Sequence, residues 1–372
     1  MKKRNFVVVL SMLLCVLVAG GCDKNESKHD LERVEKPEEE PHMERQTIGK
    51  IWDTWDAVLR KEYKNLEIPA DLDIEMPEEI GVYRFVQADD VLDQKERIFN
   101  EFIPKKRRQE KYYKEDSGGR TQPRGPEYVD IETGEHLYLG DTGFFNYQRN
   151  DKVENYDDTE ILETIYLNRP YAEKKYRLRD GKVLLSEAVK LAEEAVKRWE
   201  GIVDHDFETR VRKVDVYPSK DKGKRVLVFS FEKCYKGVNV MVHMDTEEET
   251  LLSNEVLCND DQVIVASCKG AESYLSTEGI IYKKETIKGL DQIVSLESAL
   301  HQVEGKMAGQ VTRIALSYLL CNPKGEFCSH EAGEEYVSKP YWVIYSCEDT
   351  GHEEYAMVDC RTGEVHHVKN NG

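Results

Sequence analysis

The sequence predicts an α+β protein in which helix-plus-antiparallel-sheet modules stand in tandem behind an N-terminal α+β unit. Three observations carry that expectation. Apolar residues recur at helical spacing at the start of each unit and at alternate positions in the segments that follow. The order helix-then-strands occurs twice beyond Asp180. Finally, the one strongly apolar run ends near residue 22, so the roughly 350 residues after it must bury cores of their own.

That first run is an export signal. Lys2, Lys3 and Arg4 precede the apolar stretch from Phe6 to Gly21, which closes on Val18-Ala19-Gly20-Gly21-Cys22. A basic start, a short hydrophobic core and small residues before a cut site are discarded on export rather than folded. The stretch is also shorter than the ~20 residues of a spanning helix. A cysteine directly after the small residues resembles the lipobox of bacterial lipoproteins, with Ala19 where that family usually has leucine. The resemblance implies that Cys22 receives a diacylglycerol, becomes the mature N-terminus and holds the protein on the extracytoplasmic face of the cell membrane. Residues 22–46 are almost all charged or polar and read as a solvated acidic tether. The Glu38-Glu39-Glu40 run belongs to that solvated charge and is a poor metal site.

The formal net charge is −19, and loss of the three signal cations leaves −22. Such a surface repels nucleic acid and anionic lipid headgroups, so attachment to a membrane rests on the lipid alone. Seven cysteines follow Cys22, an odd number, so at least one stays unpaired in a monomer. Cys321 and Cys328 flank the turn-like Asn322-Pro323-Lys324-Gly325 and are the candidate disulfide, which geometry must decide.

The N-terminal unit is expected over residues 47–170. Ile48, Ile51, Trp52, Trp55, Val58 and Leu59 share one helical face and read as core. Val82, Phe85 and Val86 form an extended piece. Asp89 or Asp90 then caps a second helix whose face is Val91, Leu92, Lys95, Ile98, Phe99 and Phe102. Residues 105–125 are polar and basic and read as a loop. A hairpin follows, Tyr128-Val129-Asp130-Ile131 and His136-Leu137-Tyr138-Leu139 around Glu132-Thr133-Gly134-Glu135, and then a strand at Phe144, Phe145 and Tyr147.

The two modules are expected at residues 171–278 and 279–372. In the first, a helix opens at Leu185 with Ala188, Ala192, Ala195, Val196 and Trp199 buried, and strands follow at 211–217, 225–231 and 238–244. In the second, a helix opens at Leu296 with Val303 and Met307 inward, and strands follow at 311–320, 341–346 and 355–360. The second copy closes on Val358-Asp359-Cys360-Arg361-Thr362-Gly363-Glu364, echoing Val129-Asp130-Ile131-Glu132-Thr133-Gly134-Glu135.

A helix followed by strands that end in such a hairpin resembles the PepSY module and the C-terminal part of YycH/YycI-type envelope regulators. Pro340-Tyr341-Trp342-Val343-Ile344-Tyr345 with Tyr355-Ala356-Met357-Val358-Asp359 is the nearest match. The likeness is good over about 90 residues (280–370) and looser over about 80 more (181–260). The whole layout, from lipobox through Gly140-Asp141-Thr142-Gly143-Phe144-Phe145, also resembles an uncharacterised lipoprotein family of Clostridia-type bacteria. What the PepSY resemblance implies is non-enzymatic: modules of protease propeptides and cell surfaces that bind or restrain peptidases or sensors.

No catalytic signature stands in the sequence: no His-Glu-x-x-His, no Gly-x-Ser-x-Gly, no phosphate-cradling Gly-Lys-Ser/Thr loop. Cys321, Cys328 and His330 are metal-ligand types without the tight pairing of a zinc site, so neither metal nor cofactor is expected. Asp204-His205-Asp206 is an acid/base pattern only if a cleft assembles it, and His366-His367 reads as a solvated tail. The expected role is therefore a lipid-anchored protein that binds an envelope protein, a peptidase or sensor it regulates. The alternatives are a cell-wall or extracellular hydrolase whose site forms only in the fold, and a solute-binding lipoprotein. The partner surface is expected on the strand at 341–346. Alternation sends Trp342 and Ile344 to one face and Tyr341, Val343 and Tyr345 to the other. Tyr341 and Tyr345 bind a partner if that face is open and are core if it is covered.

Overall fold

A computed structural model describes residues 43–110, 125–149, 160–167, 170–203, 205–242, 261–276, 279–323, 331–347 and 353–369. Cys22, the signal, most of the tether, Asp204, Cys328 and His330 lie outside the described residues. The chain divides into Met1–His42 and Met43–Gly372, and every described residue belongs to the second unit.

Strands dominate. The two longest, Gly309–Cys321 and Glu335–Cys347, pair antiparallel with Leu316 opposite Trp342 and Ser317 opposite Tyr341. Glu353–Asp359 and then Val365–Lys369 extend the sheet on one side. On the other edge of Gly309–Cys321, three short strands line up in parallel: Leu66–Glu67, Ile74–Glu75 and Val238–Val242. Val238–Val242 is the return arm of a hairpin from Arg225–Tyr235, turned through Lys236 and Gly237, both at positive φ. That conformation matches the right-handed twist of the two arms. Arg225–Tyr235 carries Glu208–Pro218 on one edge and Asp261–Val265 on the other. The sheet continues through Ser273–Ser276, Phe145–Gln148, His136–Leu139 and Glu127–Asp130.

Four α-helices among the described residues cover this sheet: α1 (Ile48–Leu59), α2 (Lys95–Phe102), α3 (Leu185–Glu200) and α4 (Leu296–Val303). The starts of α1, α3 and α4 are set by side chains that satisfy otherwise orphaned amides, whereas α2 has no side-chain cap. Thr47 Oγ1 accepts from Lys50 N, Ser295 Oγ accepts from Ser298 N, and the Glu187 carboxylate reaches back to Leu184 N. α1 and α4 pack on a core centred on Trp342, whose Nε1 donates to Val294 O at 2.8 Å. α3 covers a second core, with Trp199 stacked on Phe145 at 4.0 Å between ring centres. Trp52 is an exception to the helical face read from sequence: it is 40% exposed, its indole set against Pro77 O.

The expected tandem helix-plus-sheet modules are overturned. The protein is mostly β, with one large mixed sheet joining 18 strands and only four α-helices among the described residues. The reason is long-range pairing. Gly81–Gln87, from the N-terminal part, lies between Ile281–Gly289 and Glu335–Cys347. Val238–Val242 joins Gly309–Cys321 in parallel. Hydrophobic period reports that a segment is a strand and says nothing of its distant neighbour.

The repeated turn sequence does give one structure twice. Asp130 Oδ1 accepts from Glu132 N and Thr133 N, and Asp359 Oδ1 accepts from Arg361 N and Thr362 N. Thr133 and Thr362 accept from Glu135 N and Glu364 N. Gly134 and Gly363 close the turns at φ 75° and 77°, a region that glycine enters without steric cost.

Candidate functional site

Two concavities share Tyr274. The first is a narrow buried pocket between α3 and the strands Arg225–Tyr235, Asp261–Val265 and Ser273–Ser276. Its walls are apolar, with Trp199, Phe207, Val240 and Ile280 prominent, and its floor is polar. The Tyr274 hydroxyl donates to Asp261 Oδ2 at 2.7 Å. Lys233 Nζ donates to Gly279 O at 2.9 Å and Ser276 Oγ at 3.2 Å, and stands 3.6 Å from Asp261 Oδ1. Burial first, and then the Asp261 charge, holds the Tyr274 phenol well above its ordinary range, so it acts as a donor and not as a base. The free space is about 20 Å³, room for one or two waters and far below what a substrate needs. This cluster anchors three strands.

The second concavity is an open groove of about 270 Å³ on the other side of Tyr274. Its base is formed by Phe102, Tyr147, Leu191 and Ala195, and its rim carries Arg149, Arg198 and Lys269. Each cation has a physical reason for its place. Arg198 lies 4.3 Å above the Phe102 ring and donates to Glu101 O. Arg149 follows the strand Phe145–Gln148, its amide bonded to Glu272 O at 2.7 Å. Lys269 sits on a loop clamped from both ends. Asp180 accepts from Cys268 N at 2.8 Å and from Ser267 Oγ at 2.9 Å, while Arg179 pairs with the buried Glu272. Gly270 has φ 138°, and a Cβ there would stand 3.3 Å from Arg149 Nη1, so glycine lets the guanidinium lie close against the loop. Among the described residues neither Arg149 nor Lys269 forms an ion pair. Of the rim carboxylates, Glu135 accepts from the Tyr147 hydroxyl at 3.0 Å, and Glu194 lies one helical turn before Arg198. In a chain of net charge −19, cations that have no ion pair among the described residues and gather over an aromatic base are chemically suited to receive an anion.

Other constellations resolve into structure. Ser346, Glu354 and His367 meet, with Ser346 Oγ 3.3 Å from Glu354 Oε1 and His367 Nε2 3.1 Å from Glu354 Oε2. The carboxylate stands between serine and imidazole, whereas nucleophile activation needs the imidazole in the middle. Glu354 instead accepts from Ala308 N at 2.9 Å and fixes the start of a long strand. Arg313 is buried between Glu75 and Glu232 and serves as an internal counter-ion for both. Burial pushes the nearby Cys234 thiol up, far from thiolate reactivity. No group of three or more metal-ligand side chains gathers among the described residues, and no helix there is long and apolar enough to cross a membrane.

The residues singled out from sequence are dispersed. Tyr341 and Tyr345 lie on the face opposite Trp342, as alternation requires. They are 5% exposed, in a cluster with Met241, Leu319, Val343 and Met357. That placement gives the covered outcome and moves the search for a partner surface to the groove. Cys321 is a buried thiol, and its candidate partner Cys328 lies outside the described residues. His205 accepts from Phe207 N and Asp206 from Lys283 N, so both hold backbone rather than each other. His367 has the carboxylate partner that spacing did not reveal. The groove cations come from three distant segments, and the one local mark in the sequence is the turn-like Lys269-Gly270.

No protein-family model matches the chain, and no curated protein matches it. Among solved structures it is similar to a crystal structure of an uncharacterized protein from Eubacterium rectale. The identity is 16%, covering 85% of this chain and 98% of that one, with a TM-score of 0.49. A likeness at that level names no function.

Proposed function

We propose that the protein is held by lipid on Cys22 at the extracytoplasmic face of the cell membrane and acts by binding another envelope protein, a peptidase or sensor that it regulates. The observation that carries the binding role is the groove beside α3, where Arg149 and Lys269 have no ion pair among the described residues and stand over an aromatic base. A cluster of cations on an otherwise acidic surface raises the local potential and attracts an anionic group. The anchor rests on the lipobox-like sequence and on charge, since a surface this acidic does not adhere to anionic lipid unaided.

Two measurements test this reading. Wild-type protein grown with labelled fatty acid takes up label and sediments with membranes, and Cys22→Ala does neither. Crosslinking in intact membranes gives a defined adduct that is lost in Ala195→Trp, a variant that fills the groove at unchanged melting temperature. An unlabelled wild type, or an adduct indifferent to the filled groove, defeats the corresponding half of the proposal.

A further inference from the structure

We propose that the groove recognises the C-terminal residue of a peptide, with Arg149 receiving the terminal carboxylate and the base at Leu191, Ala195 and Phe102 receiving an apolar side chain. This rests on the binding role proposed above and specifies the chemistry of its ligand. Two features of the groove decide the ligand class. Its lining carries three cations, Arg149, Arg198 and Lys269, against two carboxylates, Glu135 and Glu194, and Arg149 and Lys269 have no ion pair among the described residues. At about 270 Å³ it is also smaller than the ~300–1,000 Å³ of pockets that hold drug-sized ligands. Charge and apolar surface must therefore arrive on one small unit. A C-terminal residue meets that condition, since its carboxylate and its side chain share a single Cα. Guanidinium is suited to the task because its planar fork pairs both carboxylate oxygens, and Gly270 leaves room for that fork to lie flat against the loop. A lipid phosphate fits less well. The net charge of −19 opposes approach to an anionic bilayer, and the apolar base of the groove would face a polar headgroup.

The test uses full-length protein in detergent micelles and fluorescein-labelled Gly-Gly-Leu peptides ending in a free carboxylate or an amide, read by anisotropy. The carboxylate form is expected to bind at least about tenfold more tightly than the amide. Arg149→Gln is expected to remove that preference, weakening the carboxylate peptide and leaving the amide unchanged. Replacing the terminal Leu by Lys is expected to abolish binding by setting a cation against Lys269. Equal binding of acid and amide, or equal weakening of both by Arg149→Gln, overturns the proposal. So does displacement of the peptide by inorganic phosphate or by phosphatidylglycerol vesicles at matched concentration, which would mark a general anion site. The membrane crosslinking above separates this failure from that of the binding role. An adduct lost in Ala195→Trp but retained in Arg149→Gln keeps the partner and discards the carboxylate.

Discussion

Tyr274 and Asp261 are joined by a 2.7 Å hydrogen bond in which both partners are buried, one on each of two adjacent strands. Tyr274 lines both the narrow pocket and the groove, and Asp261 lines the pocket. Tyr274→Phe keeps the ring and strands the carboxylate oxygen, so it is expected to cost about 1–3 kcal/mol in denaturant unfolding. The phenol is held above its ordinary value of 10.0, which fixes the sign of the pH effect. The unfolded chain releases this proton near pH 10 while the folded protein keeps it. The contribution is therefore fully present below that pH and is lost as pH rises beyond it. Alkaline unfolding followed by circular dichroism should show this loss in the wild type and a smaller one in Tyr274→Phe.

Asp180 acts at the opposite end of the pH scale. The Cys268 amide, opposed by some burial and aided by the Ser267 hydroxyl, holds its carboxyl below the usual carboxylate range. A depressed folded value means the contribution is present above the unfolded value of 3.8 and is lost as pH falls through the folded one. Asp180 is largely exposed, so the effect belongs to the loop it clamps and not to global stability. Asp180→Ala should speed hydrogen exchange at Cys268 and Lys269 by an order of magnitude or so, with little change in Tm. Unchanged exchange at those amides would count against the clamp.

Arg313 offers the largest single effect. Its guanidinium donates at 2.9 Å to Glu75 and twice at 2.9 Å to Glu232, with the side chain 5% exposed. Arg313→Ala removes the guanidinium that Glu75 and Glu232 share and is expected to cost about 3–5 kcal/mol. Arg313→Lys restores the charge but not the fork, and should recover only part of the loss. Equal stability of the two variants would mean that charge alone matters here.

The legible part of this fold was its local part. Helices begin at Ile48, Leu185 and Leu296 where the spacing placed them, and the hairpin Glu127–Asp130 with His136–Leu139 forms around the turn its glycine announced. The modular architecture failed because its boundaries fall across pairings such as Gly81–Gln87 with Glu335–Cys347. Sequence period carries no record of a neighbour 250 residues away. The groove was illegible for the same reason. Arg149, Arg198 and Lys269 belong to a strand end, a helix and a loop, and each alone is an ordinary surface cation. Tyr341 and Tyr345 failed differently: alternation gave their face correctly, but what covers a face is a tertiary fact.

The duplicated turn provides a matched experiment on how sequence identity and context divide the cost of a substitution. Gly134 and Gly363 share φ near 75°, the same aspartate and threonine bonds, and the same neighbours in sequence. A methyl group at Gly134 meets nothing within 4 Å, so Gly134→Ala should cost only the left-handed backbone strain, about 1–2 kcal/mol. At Gly363 the same methyl would stand 1.8 Å from Met43 Sδ, and the thioether must swing away. Met43 packs against the core around Trp342, so moving it forfeits apolar contact as well. Methionine is flexible, which keeps the added cost near 1 kcal/mol rather than several. Gly363→Ala should therefore be the more destabilising of the pair in denaturant unfolding, and Met43→Ala in the same chain should bring the two costs together. If Gly134→Ala proves equal or worse in the otherwise unaltered protein, backbone strain alone sets the cost and the Met43 contact contributes nothing.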